Sequence, residues 1–382
     1  MYITKPLSPR YPQISIEALW DFDKADKCYD PICDPSATIT TISDYPSRFV
    51  QTMWPASSFE SALRRFTDMY ADVINQPSYR HLYEHFTILK RNGKERPIDK
   101  PFPQLRAAQD DLVRILQQFC PATHHASAYA YIKKRETIDA GKKHQKNESH
   151  WFANFDFTNF FGSTTPEFVE RMLKEIYPFS MLNDWGEWAL VSSALSVCFL
   201  DGGLPQGSPV SPMLTNIMMI PIDHALCNSL HNYKKKSYVY TRYADDMTIS
   251  CAYDFDIREV EQLIEQTLTQ FSAPFALNKE KTHYGSRAGR NHMLGFVLNA
   301  NNDITVGYKE KKYFKAMLNN YILDRKNKRR WELSEIQSLS GKLSYYRHVE
   351  REYFDALVAR MNEKYHVDVD AIMRHDIKTL SD

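Results

Sequence analysis

Apolar residues recur at helical spacing over residues 58–78 and again over 103–119, where Leu105, Leu112, Ile115, Leu116 and Phe119 form the repeat. Between these stretches Phe86-Thr-Ile-Leu-Lys90 alternates like a strand. Arg91-Asn-Gly-Lys94 is a hairpin-type turn leading into Arg96-Pro-Ile. Trp151 to Phe155 predicts a buried strand that ends at Asp156. Thr165-Pro-Glu167 starts a helix, with threonine as cap and proline at the first helical position. Asp201-Gly-Gly203 turns into Leu204-Pro-Gln-Gly207, after which Val210 to Leu226 reads as one long helix. Tyr238 to Arg242 and Met247 to Ala252 read as two strands joined by Tyr243-Ala-Asp-Asp246. Ile257 to Phe271 predicts an amphipathic helix, Leu294 to Leu298 a short strand, and the chain from about Glu310 onward is helical throughout.

The order is mixed α+β, with the strands carrying the chemistry and a helical tail. Asp156 ends one strand, and Asp245 and Asp246 occupy a turn 89 and 90 positions later. If those strands are neighbours in one sheet, three carboxylates converge, the minimum set for two divalent ions. Taken alone, the tetrapeptide equally describes a solvated acidic hairpin tip. Residues 1–56, broken by Pro6, Pro9, Pro12, Pro31, Pro35, Pro46 and Pro55, predict an extension draped on the core.

At 382 residues with 43% hydrophobic and 25% charged positions, the chain has room for two or three subdomains around a substantial core. A net charge of only +1 argues against a nucleic-acid binder, but the distribution argues for one. Residues 17–44 hold seven acids against Lys24 and Lys27, whereas residues 90–106 and 132–146 each hold six bases against two acids. Residues 305–348 hold eleven bases against four acids. Such segregation suits a channel for a phosphate backbone, although each stretch by itself also suits a solvated helix face. The six cysteines are scattered, and neither they nor His124, His125, His144 and His150 match a zinc pattern. No signal peptide opens the chain and Trp188 to Leu200 is too short to span a bilayer, so a cytoplasmic protein without membrane contact is expected.

Five blocks in this order resemble a bacterial reverse transcriptase, related to group II intron and retron enzymes and of the stand-alone, defence-associated type. Phe86 to Ile98, running on to Leu105-Arg-Ala-Ala-Gln109, is similar to the fingers motif. Asp156-Phe-Thr-Asn-Phe-Phe161, Leu204-Pro-Gln-Gly-Ser-Pro-Val-Ser-Pro212 and Tyr243-Ala-Asp-Asp246 resemble the first three palm motifs. Lys279-Glu-Lys-Thr282 with Leu294-Gly-Phe296 resembles the closing palm motif and primer grip. The resemblance implies a right-hand polymerase fold: an N-terminal extension over 1–75, fingers and palm over 76–305, and a helical thumb over 306–382.

It also implies roles. Asp156, Asp245 and Asp246 would be catalytic and bind two Mg2+ ions, with Mn2+ able to substitute and the Phe157 carbonyl as a further ligand. Phe161 would sit beneath the incoming sugar and exclude a 2′-hydroxyl. Gln206 and Gly207 would form the platform under the nucleotide, with Lys94, Arg96, Arg106 and Lys281 as candidates for the triphosphate or template. Tyr243, Gly295, Lys342 and Arg347 would contact nucleic acid, with Tyr345 and Tyr346 packing or stacking beside them. The implied partners are deoxynucleotides, an RNA template and a DNA product.

Two retron signatures are altered. Ile138-Asp-Ala-Gly-Lys-Lys-His144 has Asp139 in place of asparagine and its histidine displaced by one, and His292-Met-Leu-Gly295 lacks a threonine. RNA-directed DNA synthesis on a cognate non-coding RNA, in antiphage defence, is therefore the leading expectation. Template-independent synthesis of the abortive-infection type and a retron enzyme making RNA-linked single-stranded DNA are the alternatives. Assembly as a homo-oligomer or with a partner protein stays open.

Overall fold

This computed structural model describes residues 56–89, 93, 95–235, 237–288, 291 and 293–381. The expected N-terminal extension up to residue 55 and the candidate Lys94 lie outside the described residues. The described chain forms two compact units. One contains the residues up to Glu136 together with Ala153–His283, and the other contains Thr137–Phe152 and the chain from Tyr284 onward.

The first unit is organised around a buried antiparallel hairpin. Strands β1 (Tyr83–Leu89) and β2 (Glu95–Pro101) come first in the chain and pair antiparallel, with Phe86 opposite Ile98. The sheet that matters for chemistry follows. It contains β3 (Trp151–Asp156), β4 (Tyr238–Tyr243) and β5 (Asp246–Cys251), and its order is β4-β5-β3 with β6 (His283–Ser286) beyond β3. Val239, Met247 and Ile249 are almost wholly buried, each contributing about 1.5–3 kcal/mol relative to exposure. The Ile220–Asn232 helix packs against β4 and against the Ile257–Gln270 helix, covering this sheet.

Local signals account for most boundaries. Thr165 caps the Pro166–Leu173 helix, its hydroxyl oxygen accepting from the Phe168 N–H at 3.3 Å. Asp256 caps Ile257–Gln270 in the same manner, accepting from Arg258 N–H at 2.8 Å. The single helix expected from Val210 to Leu226 is instead two, Ser211–Met218 and Ile220–Asn232. Pro221 explains the break, because it brings no N–H donor to the backbone and its ring crowds the preceding turn.

The second unit holds two short strands, β7 (Val297–Leu298) and β8 (Ile304–Thr305), which pair antiparallel. Four helices follow, at Tyr308–Lys326, Leu333–Val349, Arg351–Tyr365 and Val369–Ser381. They share a core that includes Phe314, Leu318, Leu339, Leu343 and Phe354. This unit also takes in the Thr137–Lys146 helix. The cause is close packing. A Cβ on Gly141 would stand 2.6 Å from the Phe296 ring, so only glycine lets the helix approach. Gln145 and Asn302 then exchange hydrogen bonds with each other's carbonyls at 2.7 and 2.8 Å.

Candidate active site

The turn between β4 and β5 is as tight as a hairpin allows. Tyr243 pairs with Asp246, leaving Ala244 and Asp245 as the two loop residues, and Ala244 takes a left-handed φ of 58°. Asp245 and Asp246 are thereby held at the end of the hairpin, next to the end of β3, where Asp156 sits. Backbone contacts fix the register. Phe157 N–H donates to the Asp245 carbonyl at 3.3 Å, and Asn278 N–H donates to the Asp156 carbonyl at 2.7 Å. Each of the three aspartates offers a carboxylate oxygen within 4.8 Å of the others.

Three carboxylates this close repel one another. Desolvation, then the Asp245 and Asp156 carboxylates, push the Asp246 carboxyl up to about 7, and burial together with Asp156 also raises Asp245. Lys281 answers them. The Lys281 ammonium donates to both oxygens of Asp156 at 2.8 Å, and although burial opposes its charge, the aspartates outweigh it and keep Lys281 protonated. Three carboxyl groups gathered this closely leave the cluster suited to divalent cations. The oxygen-only donor set suits hard ions such as Mg2+ and Mn2+.

The surrounding candidates separate clearly. Phe161 is half-buried and meets the Tyr131 ring edge-on at 6.5 Å, whereas Phe160 is buried and stacks on Phe157 at 5.4 Å. Phe160 is thus the core residue, and Phe161 is the less buried of the two. Gln206 lends its carbonyl to Asp99 N–H at 2.7 Å, which fastens β2 onto the Leu204–Gly207 loop. Gly207 has a φ of +127°, and a Cβ there would lie 2.6 Å from the Asp99 carbonyl oxygen. Its glycine is required by the close approach of β2, a reason the sequence did not reveal.

Of the basic candidates, Arg96 is exposed on β2 and near enough to lower the Asp245 carboxyl. Arg106 is instead paired with Asp110 one turn along its own helix at 2.9 Å. In the second unit, Gly295 has a φ of +93° beside the Tyr345 hydroxyl, which donates to the Leu294 carbonyl at 3.1 Å. Lys342 lies over the Tyr313 ring at 5.2 Å. Arg347 makes a bidentate pair with Asp370 at 2.7 and 2.9 Å, which joins two helices of this unit. Tyr243 is half-buried at the closing pair of the hairpin.

Two residues escaped the sequence reading. Tyr131 is half-exposed beside Phe161 and feels the Asp245 charge, but nothing marks it among 23 tyrosines. Gln109 is completely buried. Its amide donates to Tyr83 Oη at 2.9 Å and to the Val197 carbonyl at 2.8 Å, and its carbonyl accepts from Ser208 Oγ at 2.9 Å. It locks the loop that carries Gln206, and its place in the fingers-like block Leu105-Arg-Ala-Ala-Gln109 is its signal in the sequence.

Residues 88–298 match the family described as reverse transcriptase (RNA-dependent DNA polymerase). The chain belongs to the reverse transcriptase family. It is similar to the retron Ec83 reverse transcriptase of Escherichia coli, at 28% identity over 296 residues, covering 74% of this chain and 86% of that one. It is also similar to the retron Ec86 reverse transcriptase of Escherichia coli, at 23% identity over 74% of this chain and 82% of that one. Among solved structures, a telomerase from Candida albicans shares 12% identity at a TM-score of 0.41, covering 88% of this chain and 66% of that one. This reverse transcriptase is an RNA-directed DNA polymerase with a mixed α+β polymerase fold. Its family depends on divalent metal, and Asp156, Asp245 and Asp246 can hold such an ion. Among the described residues no helix is long and apolar enough to cross a membrane.

Proposed function

We propose that the reverse transcriptase makes DNA by two-metal nucleotidyl transfer on an associated RNA. The observation that carries this is the convergence of Asp156, Asp245 and Asp246 within 4.8 Å, with too little positive charge around them to balance it. These side chains, with the Phe157 carbonyl, would hold two Mg2+ ions, for which Mn2+ can substitute. Held there, divalent ions would supply Lewis-acid activation of a primer 3′-hydroxyl and charge neutralisation for the triphosphate and departing pyrophosphate.

The chain's own groups do the rest. Lys281 and Arg96 set positive charge beside the carboxylates, where the triphosphate must be received. Lys94 is assigned to the same task, and Arg106 to the template strand. Phe161 presents a flat ring that leaves no space for a ribose 2′-hydroxyl, and Gln206 with Gly207 supports the nucleotide from a loop that Gln109 and Asp99 immobilise. Tyr243, Gly295 and Lys342 are assigned to primer and template.

The template is assigned to a cognate non-coding RNA, in the cytoplasm, and the biological role to antiphage defence. The likeness to retron reverse transcriptases over about three quarters of the chain supports an RNA-linked single-stranded DNA product over template-independent synthesis. Primer extension on an RNA template with deoxynucleotides and Mg2+ tests the chemistry. The wild type extends, and the Asp245→Asn/Asp246→Asn double variant does not. Extension by that variant at the wild-type rate would exclude the assigned metal ligands. Sequencing the nucleic acid that copurifies from the host tests the partner: random cellular RNA would rule out a cognate one.

A further inference from the structure

We propose that Arg242, through its ion pair with Asp223, is the positioning residue that sets the Ala244–Asp245 turn for divalent-ion binding. The proposal rests on the metal-site reading above.

The side chains of Arg242 and Asp223 are both completely buried. Arg242 Nε donates to Asp223 Oδ1 at 2.9 Å and Nη2 donates to Oδ2 at 2.7 Å. The remaining arm of the fork does two further things. Nη1 donates to the carbonyl of Ala244 at 3.1 Å and to Asn216 Oδ1 at 3.4 Å. Asp223 is itself secured by the Tyr240 hydroxyl at 2.8 Å. Arg242's main chain is pinned as well, its N–H donating to Ser127 O at 2.7 Å and its carbonyl accepting from Tyr129 N–H at 2.8 Å.

A fully buried ion pair is a poor device for stability, because desolvation of two charges cancels most of their attraction, and apolar side chains of similar volume often replace one without loss. What an apolar pair could not do is hold a carbonyl. Ala244 adopts a left-handed φ despite its Cβ, and its carbonyl lies in the peptide bond to Asp245. The Arg242 donor holds that peptide bond in one orientation, which fixes where the Asp245 backbone and side chain begin. Asn216 extends the same anchor, since its amide donates to the Ala130 carbonyl at 2.9 Å, next to Tyr131. A lysine keeps the charge but has no planar fork to reach Asp223 and Ala244 together.

The experiment uses the full chain, with Tb3+ luminescence as the ion probe, Mg2+ competition, and steady-state primer extension. Arg242→Lys and the volume-conserving double variant Arg242→Met/Asp223→Leu should each bind Tb3+ about 10–100-fold more weakly, and kcat should fall by a similar factor. KM for the deoxynucleotide should stay close to that of the wild type, and the double variant should melt near the wild-type temperature. A purely structural staple would shift melting instead. A folded double variant with wild-type Tb3+ affinity and kcat overturns the inference. Should the double variant fail to fold, Arg242→Lys decides by the same criteria; if both fail to fold, the pair is a staple and the inference falls. An Asp245→Asn control that keeps wild-type Tb3+ affinity would refute the metal-site reading instead.

Discussion

The Lys281 ammonium donates to both carboxylate oxygens of Asp156 at 2.8 Å, occupying one flank of the carboxylate cluster with the protein's own positive charge. The contact is half in solvent, Lys281 being 57% exposed, so its energy is modest, but it competes directly with any cation that Asp156 would share.

Removing that competitor should therefore tighten ion binding. Lys281→Met is expected to raise Mg2+ affinity by up to roughly thirtyfold, the equivalent of about 2 kcal/mol for a single against a double charge near 4 Å in water. KM for the deoxynucleotide should rise at the same time, because the triphosphate loses a cation. Calorimetric Mg2+ titration checks the first and steady-state kinetics the second; weaker Mg2+ binding would mean that Lys281 supports the ions and does not compete with them.

Phe161 is half-buried and is assigned to the nucleotide sugar, while Phe160 fills the core. Phe161→Ala should reduce the preference for deoxynucleotides over ribonucleotides by roughly 10–200-fold, the range available to steric exclusion. Phe160→Ala should cost stability, about 3–5 kcal/mol, and leave sugar selectivity alone among molecules that still fold. The ratio of kcat/KM for paired nucleotides on one RNA template measures this, and an unchanged ratio in Phe161→Ala removes the gate.

His144 supplies the pH prediction. It is completely buried against Phe152, and burial, aided by Lys143, lowers its imidazole to about 3. The folded value lies below the ordinary one of about 6.5, so protonation favours the unfolded chain. Its contribution to stability is complete above about pH 6.5 and declines as pH falls toward 3, by up to about 1.4 kcal/mol per pH unit. In thermal melts of wild type and His144→Gln, the variant should lose less stability between pH 6.5 and 5. Parallel pH profiles would show that His144 protonates without penalty.

Much of the site could be read from the sequence because its parts are local. The strand ending at Asp156, the hairpin at Tyr243–Asp246 and the Leu204–Gly207 loop each announce themselves within a few residues. Their convergence depended on the strands being sheet neighbours, as β5 and β3 are, and the family match over residues 88–298 covers nearly the same span as the motifs. What stayed hidden depends on distant partners. Arg347 sits in a basic stretch, and its pairing with Asp370, 23 positions on, leaves no mark in the spacing. Gln109 reads as an ordinary helix residue until burial reveals its three partners. The Thr137–Lys146 helix joins the second unit through Gly141 against Phe296, a fit no periodicity encodes. The altered signature ending at His144 suggested distance from retron enzymes, yet the similarity to them extends over most of the chain.

The central claim is tested most directly by a crystal of the enzyme grown with Mn2+, a primer–template duplex and a non-reactive deoxynucleotide analogue. Anomalous scattering should place manganese about 2.0–2.3 Å from carboxylate oxygens of Asp156 and Asp245, with Asp246 at the same cluster. Manganese bound elsewhere, or these three side chains separated with the nucleotide in place and no ion among them, would contradict the account.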